Sequence, residues 1–227
     1  DLIIEFDGAM SEPTVYVNGH KAGYWPYGYN AFRLDISELV KQGRNDVTVD
    51  LVNLEESSRW YPGAGIYRPV KVMMLPSVSL DAWATSIRTA GFSQGVNNYG
   101  KTKLQAKVDY ETQLRAPSDA DSSQYDDLAF VVEVMNAEGK YEAGSHYDVP
   151  ADGHIKTTIT VTNPHVWSPE TPYLYKMRSR LFSKGKMVDE IITNFGIRTI
   201  EVGKDGFKLN GTARKIQGVC LHHDLGP

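Results

Sequence analysis

The chain has 227 residues, room for about two domains of ordinary size, and its 41% hydrophobic and 23% charged residues match a globular composition. Twenty-four Lys and Arg against 28 Asp and Glu leave a net charge of −4, which argues against a nucleic-acid partner, because neutralising phosphates takes a basic surface. No apolar run approaches the roughly 20 residues that cross a bilayer, so no membrane span is expected, and the single Cys220 excludes an internal disulfide framework and a Cys-based zinc site.

In chain order, Asp1-Leu2-Ile3-Ile4-Glu5-Phe6 reads as the interior of a strand with no initiator Met or signal peptide, and Leu225-Gly226-Pro227 stops in an expected loop. The chain therefore reads as a piece of a longer protein. Thr14-Val15-Tyr16-Val17 runs into Asn18-Gly19, a strong hairpin signal, because both turn residues must accept positive φ. Asp35 to Lys41 is the one helix-like stretch, a short turn capped by Asp35 or Ser37 with Gly43 just past its end. Val47, Val49 and Leu51 alternate with Thr48, Asp50 and Val52. Leu104, Ala106, Val108 and Tyr110 alternate with Lys103, Gln105, Lys107 and Asp109, and Ile155, Thr157, Ile159 and Val161 repeat the pattern. Period two is the mark of half-buried strands. Arg115 to Asp127 is polar, acidic and aperiodic, an exposed loop. Arg214 to Leu221 reads as a further strand. Many short strands separated by Gly, Pro and Asn predict an all-β fold of the sandwich type.

Candidate chemistry is sparse. Gly63-Ala64-Gly65 lacks the Lys-Ser/Thr and the helix of a phosphate loop. The six His form no HExxH cluster. In His222-His223-Asp224, neighbours on a strand point to opposite faces, so at most two share a side, and no metal site is expected. That triplet follows the apolar run Ile216 to Leu221. At the C-terminal end of a barrel strand it would face substrate, and otherwise it is an exposed loop. Trp60-Tyr61 sits in a turn rich in Ser, Arg, Pro and Gly. Its ring reads either as a packing anchor or as a surface on which a sugar stacks. No paired carboxylates stand at a recognisable spacing.

Several segments, taken in order, resemble family 2 glycoside hydrolases. Val15-Tyr16-Val17-Asn18-Gly19, then Gly28-Tyr29-Asn30-Ala31-Phe32-Arg33-Leu34-Asp35-Ile36, Gly43-Arg44-Asn45, and Trp60-Tyr61-Pro62-Gly63-Ala64-Gly65-Ile66-Tyr67-Arg68-Pro69-Val70 resemble the sugar-binding jelly-roll domain. Val166-Trp167-Ser168-Pro169-Glu170-Thr171-Pro172-Tyr173-Leu174-Tyr175, Val188-Asp189 and Phe195-Gly196-Ile197-Arg198 resemble the end of the immunoglobulin-like domain. Gly206-Phe207-Lys208-Leu209-Asn210-Gly211 and Gln217-Gly218-Val219-Cys220-Leu221-His222-His223-Asp224 resemble the entry into the catalytic barrel.

The resemblance implies residues 1–76 as the C-terminal part of the jelly roll, 77–198 as an immunoglobulin-like β-sandwich and 199–227 as the truncated first strand of a β/α barrel. It also implies retaining hydrolysis of β-glycosides, β-galactosides first, by two glutamates outside this chain, which by itself is expected to be inactive. A stand-alone carbohydrate-binding module, or part of a β-glucuronidase or β-mannosidase, is the alternative. His222 matches the family's first-strand His and Asp224 a substrate-contacting Asp of related glucuronidases. His223 stands where relatives often carry Glu, and Cys220 and Leu221 replace a common Asn and basic residue. Glu56, Arg59 and Trp60 fall on a jelly-roll loop that reaches the substrate pocket in β-galactosidases. The expected partner is a carbohydrate substrate, with no cofactor. Arg68 and Arg198 are expected to tie loops together rather than to touch sugar. Loss of jelly-roll strands leaves open edges, so a homo-oligomer is expected as well.

Overall fold

The computed structural model describes residues 1–54, 64–96, 101–116, 125 and 127–219. They divide into two compact units, one built by Asp1–Leu75 together with Gly218 and Val219 and the other by Pro76–Gln217. Both are built from antiparallel strands, and no α-helix occurs among the described residues. None of them forms a helix long and apolar enough to cross a membrane.

The first unit holds β1 (Leu2–Phe6), β2 (Ala9–Met10), β3 (Thr14–Val17), β4 (His20–Tyr24), β5 (Phe32–Asp35), β6 (Val47–Asp50), β7 (Gly65–Ile66) and β8 (Val70–Met74). They pair as two three-stranded sheets, β5-β1-β8 and β4-β3-β6, with β2 and β7 as a separate pair. Ile4 and Phe6 from one sheet and Val15 and Val17 from the other are buried in a common core with Phe32 and Ile36. Phe6 and Phe32 stack at 4.9 Å between centroids. The predicted hairpin is present: Val17 pairs with His20 across Asn18 (φ 52) and Gly19 (φ 83). Asn18 does more than turn the chain. Its Nδ2 donates to the Leu39 carbonyl at 2.9 Å and its Oδ1 accepts from the Asp46 amide at 3.1 Å, so the hairpin is fastened to the 39–46 turn.

The helix-like stretch Asp35–Lys41 is a turn. Asp35 Oδ1 accepts from both the amide and the hydroxyl of Ser37, at 3.0 and 2.6 Å. The same hydroxyl oxygen accepts from the Leu2 amide at 2.9 Å. Side chains that satisfy the local backbone in this way compete with helix formation, and here only the Val40 amide to Ile36 carbonyl bond, 3.2 Å, has helical spacing.

The second unit holds β9 (Ser79–Leu80), β10 (Ser86–Val96), β11 (Thr102–Arg115), β12 (Leu128–Met135), β13 (Tyr141–Asp148), β14 (His154–Thr162), β15 (Tyr175–Ser183), β16 (Lys186–Phe195), β17 (Ile200–Gly203), β18 (Gly206–Leu209) and β19 (Thr212–Ala213). One sheet runs β10-β11-β14 with β9 also on β11; the other runs β13-β12-β15-β16. Their inward residues alternate, as the sequence predicts for Ala106, Val108 and Tyr110 on β11 and Ile155, Ile159 and Val161 on β14. The same holds for Phe130, Val132 and Val134 on β12 and Met177 and Leu181 on β15, which the sequence reading did not single out. Fully burying one such large side chain stabilises by about 1.5–3 kcal/mol. Tyr110 brings a hydroxyl into this core. Burial pushes its phenol pKa up, while hydrogen bonds with Ser179, Thr112 and Thr85 offset part of that cost.

The end of the described chain departs from expectation. Residues 200–213 form the antiparallel sheet β17-β18-β19, and 214–219 carry no strand, although Arg214–Leu221 was expected to be one. A barrel strand is held by hydrogen-bonded neighbours on both sides, and among the described residues no strand pairs with 214–219. Cys220 and Leu221 lie outside the described residues.

Candidate functional site

The five residues singled out for substrate contact, Glu56, Arg59, Trp60, His222 and Asp224, all lie outside the described residues, as do His223 and Trp60's neighbour Tyr61. The structure does define the frame on either side of residues 55–63. Before them, the Val52 amide donates to the Ser11 carbonyl at 2.9 Å, and the Ser11 hydroxyl donates to the Val52 carbonyl at 2.6 Å. After them, β7 pairs Gly65 with Met10 and Ile66 with Ala9. Both roots therefore rest on residues 9–11.

The loop between β4 and β5 is fastened to the same place. Gly28 is seated on Met10, where an added Cβ would stand 2.5 Å from the sulfur and 3.3 Å from Met10 Cα. The Tyr67 hydroxyl donates to the Gly28 carbonyl at 2.8 Å, and Arg68 Nη1 donates to the carbonyls of Tyr29 at 3.3 Å and Asp7 at 3.4 Å. The Arg68 guanidinium lies 5.0 Å over the Tyr67 ring. Arg68 thus ties loops together, in line with the sequence reading. On the inner side, Trp25 stacks on Phe32 at 5.9 Å, and its amide donates to the Pro13 carbonyl at 3.0 Å.

What this anchoring presents is aromatic. Tyr27 and Tyr29 are 52% and 49% exposed, with centroids 5.6 Å apart and ring planes at 58°. Tyr24, at the end of β4, is exposed too, and its hydroxyl donates to Glu12 Oε2 at 3.2 Å. Loss of solvent contact and that carboxylate push the Tyr24 phenol pKa up. Tyr27 was not among the residues chosen from sequence, and Tyr29 entered only as part of a family motif. The available signal was the spacing: aromatic residues at i and i+2 around a glycine, after Pro26, in a loop too short to bury both.

In the second unit the motif residues converge on a different structure. Asn210 (φ 52) and Gly211 (φ 76) make the tight turn between β18 and β19. The Asn210 side chain donates to the Trp167 carbonyl and accepts from the Thr199 amide, both at 3.0 Å. The Arg198 guanidinium lies 4.8 Å over the Trp167 ring. Gly196 lets the three approach, since a Cβ there would meet Arg198 Nη1 at 2.8 Å and the Trp167 ring at 2.9 Å. A shallow groove of about 620 Å³ runs beside this cluster, lined by Thr85, Thr89, Leu174, Asn194, Arg198 and Ile200. Arg214 closes the arrangement with a two-pronged bridge to Glu170, 2.5 and 3.0 Å. These contacts tie the β18–β19 turn to the segment around Trp167, and no group of three His, Cys, Asp or Glu among the described residues could hold a metal ion.

The bridge carries a titration prediction. The Arg214 guanidinium, helped by Ser168, holds the Glu170 carboxyl at about 2, against an ordinary value of 4.5. A depressed folded-state pKa stabilises the fold fully above the unfolded value, and this contribution is lost as pH falls from about 4.5 to about 2. A carboxylate-observed NMR titration is expected to give Glu170 a midpoint near the lower end of that range, and Arg214→Ala to return it toward the ordinary value. Identical midpoints in the two proteins would show that the bridge does not form in solution.

The family described as "Glycosyl hydrolases family 2" matches residues 85–198. A protein of Formosa agariphila provisionally named a β-glucuronidase is 34% identical over 226 residues, 99% of this chain and 20% of its own length. The β-galactosidase BoGH2A of Bacteroides ovatus is 33% identical over 230 residues, 98% of this chain and 26% of its own. The crystal structure of a glycosyl hydrolase family 2 member from Bacteroides cellulosilyticus DSM 14838 superposes with a TM-score of 0.85 at 26% identity, covering 98% of this chain and 30% of that one. The chain belongs to glycoside hydrolase family 2. It spans about a fifth to a quarter of the length of these two curated relatives.

Proposed function

We propose that this chain is a non-catalytic portion of a retaining β-glycosidase that releases terminal β-galactosides. The observation that carries the reading is the 33% identity to the B. ovatus β-galactosidase, which extends over 98% of the chain. In this reading residues 1–76 are the latter part of a sugar-binding jelly roll, and 77–198 are an immunoglobulin-like sandwich. Residues 199–227 lead into the first strand of a catalytic barrel. The nucleophile and the acid/base are two carboxylates about 5–5.5 Å apart, as retention requires, and they belong to the barrel rather than to this chain. His222 and Asp224 then stand at the end of that first strand with their side chains toward the sugar, while Glu56, Arg59 and Trp60 approach it from the jelly roll.

A β-glucuronidase is the second reading, favoured by the 34% identity to the F. agariphila protein. The test is a longer protein that contains this chain and a complete barrel, assayed on nitrophenyl β-galactoside and nitrophenyl β-glucuronide. The galactoside is expected to turn over faster. Preference for the glucuronide would replace the first reading with the second, and turnover of neither would remove both.

A further inference from the structure

We infer that Tyr27 and Tyr29 form a sugar-stacking corner, a contact surface for one pyranose unit of the substrate beside the root of the 55–63 segment. The inference rests on the glycosidase reading and adds residues to it.

Four features point the same way. First, two large rings at i and i+2 are each about half exposed, whereas Phe6 and Phe32 of the same unit are fully buried. Second, the exposure is held in place. Gly28, between the two in sequence, is seated against Met10, and the carbonyls of Gly28 and Tyr29 are bound by Tyr67 and Arg68. A surface ordered before binding loses less entropy when a ligand arrives. Third, the shape selects the ligand. Rings 5.6 Å apart at 58° cannot sandwich a flat group, which would need about 7–8 Å, twice the carbon contact distance. They form an open corner instead, with one ring as a floor and the other as a wall. The C–H face of a pyranose is apolar and carries a slight positive edge that suits the negative face of a phenol ring, and the hydroxyl groups of both tyrosines can donate to or accept from sugar hydroxyls. Fourth, the corner is tied through Met10 and Tyr67 to β2 and β7, the elements that carry the 55–63 roots. The family-based candidates Glu56, Arg59 and Trp60 belong to that segment, and the corner adds a described surface beside its roots.

The experiment uses lactose as the probe and saturation-transfer NMR on the 227-residue chain, a method that tolerates self-association. Saturable transfer to the galactose ring protons is expected, with weak affinity, since one stacking contact contributes little by itself. The Tyr27→Ala/Tyr29→Ala pair is expected to weaken binding by roughly two- to tenfold, the range for the loss of one aromatic contact. Tyr27→Phe/Tyr29→Phe keeps the rings and is expected to retain most of the binding. Circular dichroism checks that the exposed substitutions leave the fold intact. No transfer to lactose in the wild-type chain, or undiminished transfer in the alanine pair, overturns the corner. Turnover of nitrophenyl β-galactoside by the longer protein is read separately. Turnover without lactose transfer removes the corner alone, and transfer without turnover supports the corner while removing the galactosidase reading.

Discussion

Phe130→Ala is expected to destabilise the second unit by about 3–5 kcal/mol, the range for removing a buried aromatic ring from a packed core. Phe130 is fully buried on β12, stands opposite Tyr147 and Leu181 in the register, and reaches across to Tyr110 on the other sheet at 5.6 Å between centroids. It therefore links the two layers, and its removal takes away packing from both. The Tyr110 hydroxyl is bound at the same place, so the void would open next to a polar knot that tolerates little movement. Domains are typically stable by about 5–15 kcal/mol, so the loss is a large fraction of the whole. Urea denaturation followed by circular dichroism measures it. Ile192→Ala on β16, half exposed, is the control and should stay within about 0.5 kcal/mol. A cost for Phe130→Ala no larger than the control would mean that the two sheets do not pack as described.

The second large effect concerns association. In the first unit, residues directly opposite one another in a ladder share a face. Val72 stands opposite Ile4, Val70 opposite Phe6 and Met74 opposite Leu2, so all three point to the core side of the sheet. Yet Val72 is 61% and Met74 83% exposed. Across the core, Val47 on β6 stands opposite Val17 in the same predicament. Among the described residues β6 and β8 are both end strands of their sheets, so these leave the sandwich two apolar edges without a neighbouring strand. Such edges template pairing with another chain. The 227-residue chain is expected to self-associate at tens of micromolar, and Val72→Lys/Met74→Lys to render it monomeric, because inward-pointing edge lysines forbid closure. Light scattering coupled to gel filtration reads both. A monomeric wild-type chain would count against the open-edge account.

These two predictions also mark what was legible in the sequence. Period-two alternation located β11 and β14 because their inward positions are nearly all apolar, and Asn-Gly located two tight turns because few other pairs accept positive φ twice. β10 was harder to see. Its run Ser86-Ile87-Arg88-Thr89-Ala90-Gly91-Phe92 breaks the alternation, and the register shifts between Thr89 and Gly91, so its strand character comes from pairing with β11 rather than from its own pattern. Arg214–Leu221 erred in the opposite direction: its apolar run suggested a strand, but among the described residues 214–219 have no strand to pair with. The site divides in a similar way. Motif order pointed to Glu56, Arg59, Trp60, His222 and Asp224, which lie outside the described residues. The tyrosine corner depends on Gly28 resting on Met10, a contact between residues 18 apart that no local pattern announces.

The most direct measurement of the central claim is hydrolysis of nitrophenyl β-galactoside by the 227-residue chain and by the longer protein that continues through a complete barrel. The account predicts turnover by the longer protein and none by the chain alone, since the carboxylates that supply the nucleophile and proton transfer are assigned to the barrel. General acid–base catalysis by itself contributes typically about 10²- to 10⁴-fold, so the gap should be unmistakable. Turnover by the 227-residue chain itself would contradict the account and place the catalytic groups within these residues.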